Sequence, residues 1–213
     1  FKDDPLVYEP GTEYLYNSFD WVMISAAMQE ASGIPFEEYV QNHVLSPLKM
    51  EDTYIPKSHP KDKRELCNSE VKAITSSKEF DKITSFYSKN LVGFRKAMPV
   101  DNFYKLAGGG YLSTSADIAK LGQAYIDNKI GVKDEILSQF LNSTYYGLGW
   151  QVSEDAKGSK FYGHVGNGVG GYSNFFVYPK EQLVFSILIN CTDPKIQTDL
   201  DAIVDCFFKV GNA

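Results

Sequence analysis

The chain has 213 residues, 43% of them hydrophobic and 14% aromatic, enough to bury a core as one domain or as two lobes sharing an interface. A formal charge of −6 offers no basic face to a phosphate backbone, and no Lys/Arg cluster is interleaved with aromatics, so nucleic acid is excluded as an expected partner. No apolar run approaches the length of a membrane span and residues 1–15 carry no signal-like segment, so the chain reads as soluble.

The opening "FKDDPLVYEPG" is loop-like and reads as an entry into the middle of a fold. After the turn at Pro10 and Gly11, Phe19, Val22, Met23, Ala26 and Ala27 recur at helical spacing, with Ser18 as the expected N-cap and Gly33 as the stop. Pro35 then suits a first helical turn, and Phe36, Tyr39, Val40 and Val44 share one face of a second helix, giving a helical hairpin. Residues 57–100 are rich in Lys and Ser and predict a long surface excursion with one short element. "LAGGGYLSTSADIAKLGQAYIDN" restores clear signals: three glycines at 108–110, a Ser/Thr-rich cap, then Ile118, Leu121 and Tyr125 on a helix. A short helix follows at "DEILSQFLNS".

From Tyr146 the texture is β. "YGLGWQVS", "KFYGHVG", "GYSNFFVYP" and "QLVFSILINC" are aromatic and β-branched runs separated by turn residues, the pattern of an antiparallel meander. "IQTDLDAIVDCFFKV" predicts an amphipathic helix covering one sheet face. The expected fold is α+β, with a mostly helical lobe over 1–144 and strands plus a closing helix over 145–213. Cys67, Cys191 and Cys206 show no Cys-x-x-Cys spacing and read as isolated buried thiols, with neither a zinc knuckle nor a disulfide framework and no cofactor implied.

Two places carry candidate chemistry. Tyr16 precedes a helix N-terminus with Asn17 and Ser18 behind it, so a phenol and a hydroxyl project from one turn; a phenol deprotonated by nearby cations is a general base, although a tyrosine before a helix more often packs and a cap accounts for Ser18. His43 and His59 have charged or Pro/Lys neighbours and read as solvated. His164 differs, because Gly163, Gly166, Gly168, Gly170 and Gly171 let other groups approach the backbone, and such a strand offers an N–H to an oxyanion and an imidazole as electrostatic partner.

Taken in order, the "PG" turn with Tyr-x-Ser, "SPLKMEDT", "AGGGYLSTSADIAKLGQA", "YGLGW" and "HVGNGVGGYSNFFVYP" followed by "ILIN" resemble the penicillin-binding-protein and class C β-lactamase-like serine hydrolases, over residues 1 to about 192. The resemblance implies a β-lactamase/transpeptidase-like fold and an acyl-enzyme mechanism. In that family a Ser-x-x-Lys serine attacks a lactam, peptide or ester carbonyl, a Tyr-x-Asn tyrosine moves protons, and a Lys/His-Thr-Gly strand binds the substrate carboxylate and edges the oxyanion hole. Tyr16 then matches the tyrosine, Ser18 stands at the Asn position, His164, Val165 and Gly166 form the third motif, and the Asn167 N–H falls near the oxyanion.

Ser18 shortens the contact made by Asn, and Val165 loses a hydroxyl that would bind a carboxylate, which weighs against lactam hydrolysis. The family's Ser-x-x-Lys lies upstream of the tyrosine, where this chain has fifteen residues. Ser58–Lys61 and Ser69–Lys72 have the spacing, but Pro60 breaks the first as a helix and the second follows the tyrosine. The expectation is therefore a C-terminal portion of a longer hydrolase acting on a small-molecule or peptide substrate, its nucleophile supplied by an N-terminal segment or a second chain. The absent strands would leave an open sheet edge that invites self-association. The resemblance also implies an extracytoplasmic location. The alternative is a non-catalytic binding or assembly module that keeps the fold, for which Ser18 and Val165 would be the clue.

Overall fold

The structure, a computed structural model, describes residues 3–55, 83–100, 102–130, 145–155 and 157–210. His59, Cys67, both Ser-x-x-Lys spacings and the helix expected at "DEILSQFLNS" lie outside the described residues.

Helix α1 runs Asp20–Ser32 and ends at Gly33, whose φ of 73° supplies the left-handed cap the sequence called for. Its start differs from expectation. Phe19 occupies the cap position without a side-chain cap, and Asn17 Oδ1 accepts the Phe19 N–H at 3.0 Å, so the neighbouring amide and not the Ser18 hydroxyl organises the turn. The inward face also differs. Trp21, Val22, Ser25 and Met28 are half-buried, whereas Phe19, Met23, Ala26 and Ala27 stay exposed. Pro35 opens α2 (Phe36–Val40), which continues as a π-helical turn over Gln41–Leu45 and buries Leu45.

Strands β1 (Tyr87–Asn90) and β2 (Gly93–Lys96) form an antiparallel hairpin at the end of the Lys/Ser-rich excursion. After a 3₁₀ segment at Phe103–Gly108, helix α3 spans Ser115–Ile126, and Thr114 Oγ1 caps it by accepting the Asp117 N–H at 3.2 Å.

The meander follows as β3 (Tyr146–Gly147), β4 (Trp150–Glu154), β5 (Lys160–Gly168), β6 (Gly171–Tyr178) and β7 (Leu183–Ile189), a five-stranded antiparallel sheet in sequential order. A short β8 (Cys191–Thr192) leaves this sheet and pairs in parallel with β1, tying the excursion to the C-terminal half. Helix α4 is Gln197–Val210.

The two faces of the sheet are covered by different helices. Tyr125 of α3 packs with Tyr162 and Val177, flanked by Trp150, Val152, Phe175 and Val184. The approach is so close that a Cβ at Gly122 would lie 2.6 Å from Val184 Cγ1, so only glycine fits there. On the opposite face Phe207 and Phe208 of α4 meet Phe185 and Tyr178 edge to face. Burial, then the surrounding carboxylates Asp155, Glu181, Asp201 and Asp205, push the Tyr178 phenol up to about 12. The two described cysteines are free; Cys191 is buried, but Cys206 is exposed, because it sits on the outer side of α4 and not in the core as expected.

Candidate active site

The entry to α1 and the middle of β5 meet. The Tyr16 and His164 rings lie with centroids 5.6 Å apart, and Tyr16 keeps 42% of its surface exposed, so the phenol lines an opening and is not packed away. Several glycines make the meeting possible. A Cβ at Gly108, within the triple-glycine run, would come 2.7 Å from the Ser18 carbonyl oxygen, so that run seats the turn carrying Tyr16. A Cβ at Gly163 would lie 1.8 Å from the Phe175 carbonyl oxygen, and one at Gly166 would lie 2.6 Å from Ser173 Oγ. These two glycines of the His164 strand admit the chain's own β6.

Strand β5 reaches beyond β4, which pairs with it only as far as Gly163. The Val165 N–H turns away from β6 and donates to Gln151 Oε1 at 3.1 Å. Because strand N–H groups alternate in direction, the Asn167 N–H points off the same edge, past the last β4 pairing. The Asn167 side chain turns elsewhere, its Oδ1 accepting the Asp193 N–H at 2.9 Å. Thr192 fastens the β5–β6 turn, its Oγ1 accepting from the Gly170 N–H at 2.6 Å and donating to the Gly168 carbonyl at 2.9 Å. The edge carrying the site is therefore held at both ends.

A third phenol joins the pair. Tyr146 of β3 places its OH 2.9 Å from His164 Nε2, while His164 Nδ1 lies 2.8 Å from the Val165 carbonyl. Burial, then the neighbouring Tyr16 and Tyr14 phenols, hold the Tyr146 hydroxyl well above the usual tyrosine range, so it is protonated at neutral pH. Sequence reasoning read "YGLGW" as a strand and missed Tyr146 as a site residue. Its partner is eighteen positions away and is reached only through β4. An open groove of about 380 Å³ adjoins Tyr146, walled by Tyr14, Tyr145, Gln151, Phe161 and Phe176; it is not lined by Tyr16 or His164. His43 stands apart, exposed, its ring tilted against Tyr39 at 4.5 Å between centroids. Among the described residues no cluster of three or more His, Cys, Asp or Glu is arranged to hold a metal, and no helix is long and apolar enough to cross a membrane.

Residues 1–205 match the family described as Beta-lactamase. The chain belongs to the beta-lactamase family. The human mitochondrial serine beta-lactamase-like protein LACTB is 30% identical over 126 residues, 59% of this chain and 20% of that protein. A protein of Escherichia coli O157:H7 described as "Putative D-alanyl-D-alanine carboxypeptidase" is 26% identical over 191 residues, 78% of this chain and 43% of that protein. The chain thus spans less than half of either relative. The D-amino acid amidase of Ochrobactrum anthropi SV3 shares the fold with a TM-score of 0.75 at 14% identity, over 95% of this chain and 61% of that one. The α+β beta-lactamase-like architecture implied by the ordered motifs is therefore the observed one.

Proposed function

We propose that this chain carries the tyrosine and His-x-Gly walls of a serine acyl hydrolase whose nucleophile comes from a Ser-x-x-Lys segment beyond these residues. The observation that carries the reading is the convergence of Tyr16 and His164 to 5.6 Å from distant parts of the chain, beside an open strand edge. In this arrangement Tyr16 moves the proton between nucleophile and leaving group. The Asn167 N–H on the open β5 edge donates to the oxyanion as it forms. His164 and Gly166 shape the edge against which the acyl group lies, and Ser18 stands at the turn's outer rim. Family membership supports hydrolysis as the reaction. The name of the bacterial relative supports a D-amino peptide or amide as substrate, with an ester as the nearest chemical alternative.

A nucleophile delivered from elsewhere has further support in the surface. Leu6, Val7, Tyr14, Leu15, Phe19, Met23 and Ile24, all within the stretch that leads into and through the start of α1, are each exposed, and clustered exposed apolar residues are a mark of an interaction surface. In this reading the missing segment covers it, and further strands or a second copy take the outer edge of β7, which has no second strand partner among the described residues.

The test is intact-mass analysis after exposure to a serine-directed fluorophosphonate and a fluorescent penicillin. The chain alone stays unlabelled, the intact protein takes one adduct, and Tyr16→Phe slows acylation of the intact protein about 100-fold. A stoichiometric adduct on this chain would place the nucleophile inside it, with Ser69 the first candidate. Unchanged acylation in Tyr16→Phe would remove that residue from the mechanism.

A further inference from the structure

We propose that Tyr146 is the positioning residue for His164, fixing the direction of the imidazole through Nε2 and so setting the shape of the β5 edge; this rests on the hydrolase reading for its kinetic consequence. The Val165 carbonyl can only accept, so the nitrogen facing it, Nδ1, carries a proton and donates across 2.8 Å. Nε2 then faces the Tyr146 hydroxyl at 2.9 Å. Both ring nitrogens are engaged inside the chain, and a 180° turn of the ring would put carbon atoms against both partners. Without the hydroxyl, the hydrogen bond that opposes such a turn among the described residues is the Nδ1 contact to the adjacent peptide.

Tyr146 can set this direction because it is itself confined. Its ring lies 5.7 Å from Tyr14, 5.8 Å from Tyr16 and 6.4 Å from Trp21, and meets the imidazole edge-on at 5.7 Å. The two-residue turn that follows, Leu148 at φ 50° and Gly149 at φ 95°, has the double positive φ of a tight hairpin matched to strand twist. A Cβ at Gly149 would sit 3.0 Å from Trp21 Cη2, so the turn is pressed beneath α1. The α1 indole therefore locates the hairpin, the hairpin locates Tyr146, and Tyr146 locates the imidazole beside Tyr16.

The test combines ¹⁵N imidazole spectra and kinetics on the intact protein. In the wild type His164 Nδ1 is protonated, and Tyr146→Phe, which keeps the ring and removes the hydroxyl, shifts the Nε2 resonance. With a hydrolysable ester, Tyr146→Phe lowers kcat/KM about tenfold. In a His164→Ala background it has no further effect, because a residue acting through the imidazole has nothing left to act on. An Nδ1 without its proton in the wild type, an unmoved Nε2 resonance, or a tenfold loss that persists beside His164→Ala would each overturn the proposal. A shifted resonance in a protein that hydrolyses nothing would instead overturn the hydrolase reading and leave the positioning role standing.

Discussion

The two helices that flank the site region, α3 and α1, are held in opposite ways. Helix α3 is tied inward by charge: Asp117, 1% exposed, accepts from Lys120 Nζ at 2.7 Å, Thr53 Oγ1 at 2.9 Å and the Asp52 N–H at 2.8 Å. Helix α1 buries no residue fully and shows Phe19, Met23 and Ile24 to the outside. The first helix is fixed through a buried carboxylate, whereas the second is only half-buried on its inner side and leaves large apolar side chains exposed. The difference separates a helix held by a buried charge from one whose apolar side chains stay exposed, and substitutions on the two helices should part accordingly.

The largest effect is expected at Asp117. Burial pushes its carboxyl up, but the hydrogen bonds from Lys120, Thr53 and Asp52 outweigh it and hold it below the ordinary carboxylate range. Removing the carboxylate takes away the acceptor of the buried Thr53 hydroxyl and of the Asp52 N–H, at about 1–3 kcal/mol for each group left unsatisfied, so Asp117→Ala should unfold at lower urea. Because the folded carboxyl titrates below its unfolded counterpart, its contribution is complete at neutral pH and is lost as pH falls below about 4. The wild-type urea midpoint should therefore drop more steeply than that of Asp117→Asn between about pH 6 and pH 3; parallel slopes would refute the assignment.

Next comes Gly163→Ala, which forces a Cβ to within 1.8 Å of the Phe175 carbonyl oxygen and must spread β5 from β6. A cost of about 3 kcal/mol follows from such overpacking, together with loss of amide-exchange protection at Gly163 and its β6 partner Phe176. Gly168→Ala, where a Cβ would meet nothing within 4 Å, is the matched control in the same strand.

The sequence was legible wherever one physical cause acted locally. Aromatic and β-branched runs cut by Gly and Pro marked the meander, and Gly33 and the Thr114 region marked helix ends, because turn and cap chemistry is decided within a few residues. Periodicity identified α1 as a helix, but of the residues that marked it only Val22 is half-buried: a helix apolar on more than one side gives the right period without saying which side packs. The parallel pairing of β1 with β8 and the contact of Tyr146 with His164 depend on chain segments far apart in sequence, so no local pattern announced them. Tyr16 and His164 were singled out through the order of several motifs, since neither residue separates itself from an ordinary packing role alone.

The smallest effect in these residues should fall on the outer face of α1, and it sharpens the contrast most. Met23→Gln replaces a half-exposed thioether on a helix that tolerates glutamine well, so in the 213-residue chain the change in stability should stay within about 0.5 kcal/mol. If a further segment covers this face, the same substitution in the intact protein removes a buried apolar contact and should cost about 2 kcal/mol. Urea unfolding of both forms, with and without the substitution, measures the difference directly. Equal and negligible shifts would mean that no further segment covers the α1 face, and the proposed covering of that face would be wrong.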